Sequence, residues 1–108
     1  MEIEINGKKT APRFDIGMVK LFNKETGKNF LKMSEMEYED IDVMSGLIYA
    51  AAKRGNKSIT MDDVDCLKFS EMIALVHEMK DSMQEFLPQA SDAEEGEGAG
   101  PLEENRQS

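Results

Sequence analysis

The chain opens on strict alternation of polar and apolar residues and then shifts to a helical rhythm. Glu2-Ile3-Glu4-Ile5 puts both isoleucines on one face of an extended segment, the pattern of a half-buried strand. Asn6-Gly7 follows, a pair that tolerates positive φ and closes a two-residue hairpin, with Lys8, Lys9 and Thr10 on the returning strand. Glu2 and Glu4 are expected to face Lys8 and Lys9 across the turn. Pro12 has no N–H for a ladder, so the second strand lies at an edge or ends its pairing there. A lone hairpin is marginal in water; it must lean on helices, with Ile3 and Ile5 as anchors, or pair with another chain.

From Asp15 onward the apolar positions recur every three or four residues. Asp15 caps a first helix with Ile16, Val19 and Phe22 on one stripe, Met18 and Leu21 beside it, and Gly27 as its close. Ser34-Glu35-Met36-Glu37 is a capping box, and it predicts a long helix from about Glu35 to Arg54 with Ile41, Met44, Leu47, Ile48 and Ala51 inward. Acids crowd its first turns, Lys53 and Arg54 end it, and Gly55 is the expected left-handed stop. Thr60-Met61-Asp62-Asp63 opens a short helix through about Leu67. The last pattern, Phe69, Met72, Val76, Met79, Met83 and Phe86, steps by three and four like a coiled-coil seam, widened by Ile73, Leu75 and Leu87. Either Ser70 caps this helix or the two segments run together. No internal repeat is visible.

Beyond Pro88 the pattern stops. Ser91 to Ser108 holds six acids, one Arg and one large apolar residue, Leu102, too little to offset its chain entropy. The expected organisation is therefore a folded domain over residues 1–88 and a disordered acidic tail over 89–108. The fold class is α+β: an N-terminal hairpin packed on three to four helices.

Charge narrows the function. The 108 residues carry 22 acids against 13 bases, a net charge of -9. Residues 1–90 hold 16 acids and 12 bases, and the remainder six and one, so about half of the excess belongs to the tail. A phosphate-backbone binder needs the opposite balance, so no nucleic-acid partner is expected. No apolar run approaches the ~20 residues of a bilayer span, and no charged-then-apolar leader opens the chain. The single Cys66 has no internal partner and fits a reducing compartment. These features describe a small, acidic, soluble cytosolic protein.

Catalytic chemistry finds little to work with. His77 is the one histidine, four residues from Asp81, which makes an exposed helical pair its ordinary reading. Asp62, Asp63 and Asp65 could suggest a cation, but they lack the oxygen ladder, central Gly and closing Glu of a calcium loop, and first-turn acids explain them. Cys66 lacks a CxxC partner and reads as buried filler. No glycine-rich phosphate loop is present. No enzyme, metal or cofactor is expected.

The nine methionines say more. Met72, Met79 and Met83 share a stripe of the last helix, and plain core packing accounts for any one of them. As a group, unbranched and polarizable side chains suit a face that accommodates variable apolar partners, so a helix-in-groove binding mode is a live reading.

The opening MEIEINGKK…RFDIG, the following LFNKETG and the block LIYAAAKRGNKSITMDDVDCL resemble the tail assembly chaperones of long-tailed phages and related prophages. The similarity spans roughly Met1 to Phe86 and lies in the order and spacing of its motifs. It implies a non-enzymatic role: binding the tape-measure protein, a very long, helix-rich and apolar chain, and keeping it soluble until tail-tube subunits polymerise around it. The implied partners are the tape-measure protein, the tail tube protein and further copies of the chain. The implied location is the bacterial host cytoplasm, with departure before the virion matures, and the family is often made in two lengths by ribosomal slippage. Met72, Val76, Met79 and Met83 are the residues expected on the client or self-association face. The competing reading is an acidic DNA mimic or adaptor that binds a basic host protein. A folded body of net charge only -4 counts against it, because mimicry wants acids ranked on a folded surface. Mimicry predicts binding that collapses with salt, and chaperoning of an apolar chain predicts binding that survives it.

Overall fold

A computed structural model describes residues 1–86. Its elements run β1 (Ile3–Ile5), β2 (Lys8–Thr10), α1 (Ile16–Thr26), two 3₁₀ turns (Phe30–Lys32 and Glu35–Glu39), α2 (Ile41–Gly55), α3 (Met61–Asp65) and α4 (Phe69–Phe86). This is the α+β arrangement expected, a two-stranded antiparallel hairpin followed by helices. The expected acidic tail over 89–108 lies outside the described residues.

The hairpin turn has Asn6 at φ 51° and Gly7 at φ 80°, the doubly positive geometry that Asn-Gly supplies cheaply. Ile3 pairs with Thr10, Glu4 with Lys9 and Ile5 with Lys8. Ile3 and Ile5 enter the core, so the hairpin leans on the helices as expected. The register corrects one expected pairing. Lys8 lies opposite Ile5, hence on the inward face, and its ammonium meets Asp63 at 2.7 Å instead of a strand glutamate. The same carboxylate accepts from Asn6 Nδ2 at 2.9 Å and from the Thr60 backbone N–H at 2.9 Å. Asp63 is the first-turn acid of the expected Thr60 capping box, and it is also buried as a clamp between the hairpin turn and the start of α3.

The long helix expected from Glu35 to Arg54 is broken. Ser34 and Glu37 do form the capping interaction, with Glu37 Oε1 accepting from the Ser34 N–H at 2.8 Å. The segment behind them is only a 3₁₀ turn, and Asp40, extended at φ -71° and ψ 133°, caps α2 by accepting from Asp42 and Val43. Two capping signals six residues apart compete, and an uninterrupted helix would also stack the like charges of Glu35 and Glu39 one turn apart. The second cap wins. An aromatic chain then fixes the 3₁₀ turns to α1: Phe22 meets Phe30 edge-on at 5.4 Å, and Phe30 meets Tyr38 at 6.4 Å.

Further expectations are corrected. Ile16 and Ile41, placed on inward stripes, are more than half exposed, because each is the first residue of its helix and precedes the turn that packs. Met18 with Val19 and Phe22, and Val43 with Leu47, do the burying instead. Cys66, expected as core filler, is exposed at the C-cap of α3, which ends at Asp65 and not near Leu67. Gly55 is no left-handed stop; among the described residues the positive-φ positions are Asn6, Gly7 and Gly27. Gly55 is required by contact, since a Cβ there would lie 2.1 Å from the Ala11 carbonyl oxygen and 2.6 Å from Thr10 Oγ1. This is where β2 docks on α2. Thr10 Oγ1 donates to the Ala52 carbonyl at 2.6 Å, the Arg13 N–H to Ala51 and Asn56 Nδ2 to Lys9. At the last helix the open boundary resolves without Ser70: α3 and α4 are separate, and Glu71 Oε1 accepts from the Lys68 N–H.

Asp15 ties the start of α1 to the end of α2. It caps α1 by accepting from the Met18 N–H at 2.9 Å and takes both Nε and Nη2 of Arg54 at the end of α2. The Arg54 hydrogen bonds, with help from Met18 and the charge of Arg13, hold its carboxyl down at about 2, against an ordinary 3.8. The Asp63 carboxyl is likewise held well below the usual range, chiefly by Lys8 and then by Asn6 and Thr60. Depressed acids stabilise the fold fully above their unfolded pKa and lose that contribution as pH falls through the folded value. The melting temperature should therefore fall steeply from pH 5 to pH 2. An Asp15→Asn variant should melt lower than the wild type at pH 7 and converge with it near pH 2, as thermal melts followed by circular dichroism would show.

Candidate functional site: an apolar groove along α4

Helix α4 packs on α2 along one face and leaves its flank open. Met72, Met79 and Met83 turn inward and are at most 6% exposed. They complete the core with Leu47 and Ile48 of α2. A quarter-turn round the helix, Phe69, Ile73, Val76 and Lys80 line a groove of about 570 Å³. Its other wall is Met33, Tyr38 and Glu39, and its floor holds Met44 and Met83. Phe69 is 62% exposed at one end, while Ile73 and Val76 are half-buried.

The residues expected on the binding face thus divide. Met79 is fully enclosed and Met72 nearly so, and both serve this chain's own packing; Val76 and Met83 reach the groove. Phe69, Ile73 and Lys80 from α4, and Met33 and Tyr38 from the 3₁₀ segment, were not assigned to that face by the sequence. A signal was present for part of it. Phe69, Ile73, Val76, Lys80 and Met83 step by 4, 3, 4 and 3, a second heptad interleaved with the first, and the lysine within it hides the pattern from a purely apolar search. Nothing local marks Met33 or Tyr38, which arrive through the aromatic chain from Phe22.

The groove's electrostatics are sparse. Glu39, Lys80 and His77 stand exposed at its edges, and burial pushes the Tyr38 hydroxyl above its ordinary pKa. Among the described residues the ion pairs are Lys8–Asp63, Arg13–Asp15, Lys28–Glu37 and Arg54–Asp15, so the expected His77–Asp81 pair is not formed. No group of three or more metal-ligating side chains converges among the described residues, and Asp62, Asp63 and Asp65 do not form one. The groove offers apolar contact with a few charges at its edge, which suits a docked helix better than a small polar substrate.

The fold and groove together define a small α+β domain with an open helix-lined apolar face. Comparison with protein-family models, with curated proteins and with solved structures finds no match for the chain. Among the described residues no helix is long and apolar enough to cross a membrane.

Proposed function

We propose that the protein is a non-enzymatic tail assembly chaperone that binds the tape-measure protein through the α4 groove and keeps it soluble in the host cytoplasm during phage tail assembly. The observation that carries this reading is the open groove, lined mainly by apolar side chains on both walls and on its floor, on a domain whose methionine core is otherwise closed. A long helix-rich client exposes apolar stripes before its tube closes around it, and a groove of this kind covers such a stripe without any covalent step. The motif similarity over Met1 to Phe86 supports the same reading, and the excess of acids beyond residue 90 opposes aggregation of the complex. The tail tube protein and further copies of the chain are the other partners that the similarity implies.

Co-expression tests it. Paired with the longest open reading frame downstream, the protein should move that product from the pellet to the supernatant, and the complex should survive 0.5 M NaCl. A client that stays insoluble, or a complex that dissolves in salt, would falsify the reading; salt-labile binding to a basic host protein would favour a DNA mimic instead.

A further inference from the structure

Helix α4 carries two heptad seams. Met72, Val76, Met79 and Met83 form the inner one, and three of these four are enclosed by the chain's own core. Phe69, Ile73, Val76, Lys80 and Met83 form the outer one and line the groove. From Phe69 to Met83 the outer seam runs roughly 21 Å at 1.5 Å per residue, about four helical turns. A seam of this period receives a helix.

Two charges interrupt the apolar lining. Lys80 occupies a seam position on the α4 wall and Glu39 stands on the 3₁₀ wall; both are exposed, and neither forms an ion pair among the described residues. They do not bridge to one another. A second copy of α4 would serve them poorly: parallel pairing in register sets Lys80 against Lys80, and antiparallel pairing about Val76 sets it against Ile73. Like charges or an unpaired charge in a seam cost affinity. A helix with an acid on one flank of its apolar stripe and a base on the other would satisfy both walls.

We propose that the groove receives one four-turn amphipathic helix of the client, with an apolar heptad stripe bordered by an acidic residue that pairs with Lys80 and a basic residue that pairs with Glu39. This rests on the chaperone reading and adds the chemistry of the segment that is held. Because both charges are exposed in the free protein, they select the occupant without contributing to the fold.

The test uses the full chain and three fluorescent 18-residue peptides with one leucine-isoleucine seam: Glu on one flank and Lys on the other, Glu on both, or Lys on both. Fluorescence anisotropy should show the mixed peptide binding roughly tenfold tighter than either uniform one, one charge contact being lost in each. Lys80→Glu should shift the preference to the all-Lys peptide and Glu39→Lys to the all-Glu peptide, with the melting temperature unchanged in both variants. Equal binding of the three peptides, or preferences that these variants leave in place, would overturn the inference. So would binding of none, or a dimer that no peptide displaces. Each of those results leaves the co-expression outcome to be read separately, so a failed charge rule and a failed chaperone reading are distinguishable.

Discussion

Met79→Asp should abolish folding, whereas Ile73→Asp, six residues earlier on the same helix, should leave a folded protein that no longer solubilises the client proposed for the groove. Met79 is fully enclosed between α4 and α2. Truncating a buried methionine to alanine costs about 2–5 kcal/mol, and an unpaired carboxylate in that place costs more, against a total stability of about 5–15 kcal/mol for a domain. Ile73 is half-buried on the groove side, so aspartate there loses only part of an apolar contact and keeps its charge in water. The expected readouts are no cooperative melt for Met79→Asp, a fall of about 10–25 °C for the milder Met79→Ala, and a fall of only a few degrees for Ile73→Asp. Client solubility should disappear in Ile73→Asp despite its intact fold. If Ile73→Asp still holds the client, the groove is not the binding face.

The second large effect runs against helix propensity. Gly55 is the last residue of α2, where alanine would ordinarily stabilise a helix by up to about 1 kcal/mol. Here Gly55→Ala should destabilise by about 2–3 kcal/mol, because the new methyl meets backbone and not a flexible side-chain end. Relief requires the Ala11 carbonyl to move, and that carries Thr10 away from Ala52 and loosens β2 on α2. A melting temperature lower by about 10–20 °C, with hydrogen-exchange protection lost first in the hairpin, is the expected result. An unchanged or higher melting temperature would mean that the two segments do not meet as closely as described.

These two sites mark where the sequence could and could not be read. The hairpin, the caps at Asp15 and Thr60, and the closing Gly27 were legible because each depends on residues within seven positions of one another. The break before α2 was not, because Ser34 and Asp40 are both good caps and their competition is decided by Phe30 and Tyr38, which the local pattern does not connect. Gly55 carried the right residue for the wrong reason: its environment is built by Thr10 and Ala11, more than forty residues away. Asp63 was legible as a cap but not as the partner of Lys8, for the same reason. In the candidate site, the methionine stripe was found with core packing and partner binding both open, since a helix with two adjacent seams gives no local sign of which one the chain keeps for itself.

The clamp at Asp63 also bears on synthesis at the ribosome. The strands that need it leave the exit tunnel before it, and Lys8 must wait for a residue 55 positions later in the chain. At 5–20 residues per second that is between about 3 and 11 s during which a three-residue-per-strand ribbon has no carboxylate to grip. Its edges are free to meet other nascent chains on the same polysome over that interval, and the N-terminal segment becomes native only when α3 emerges to fasten it.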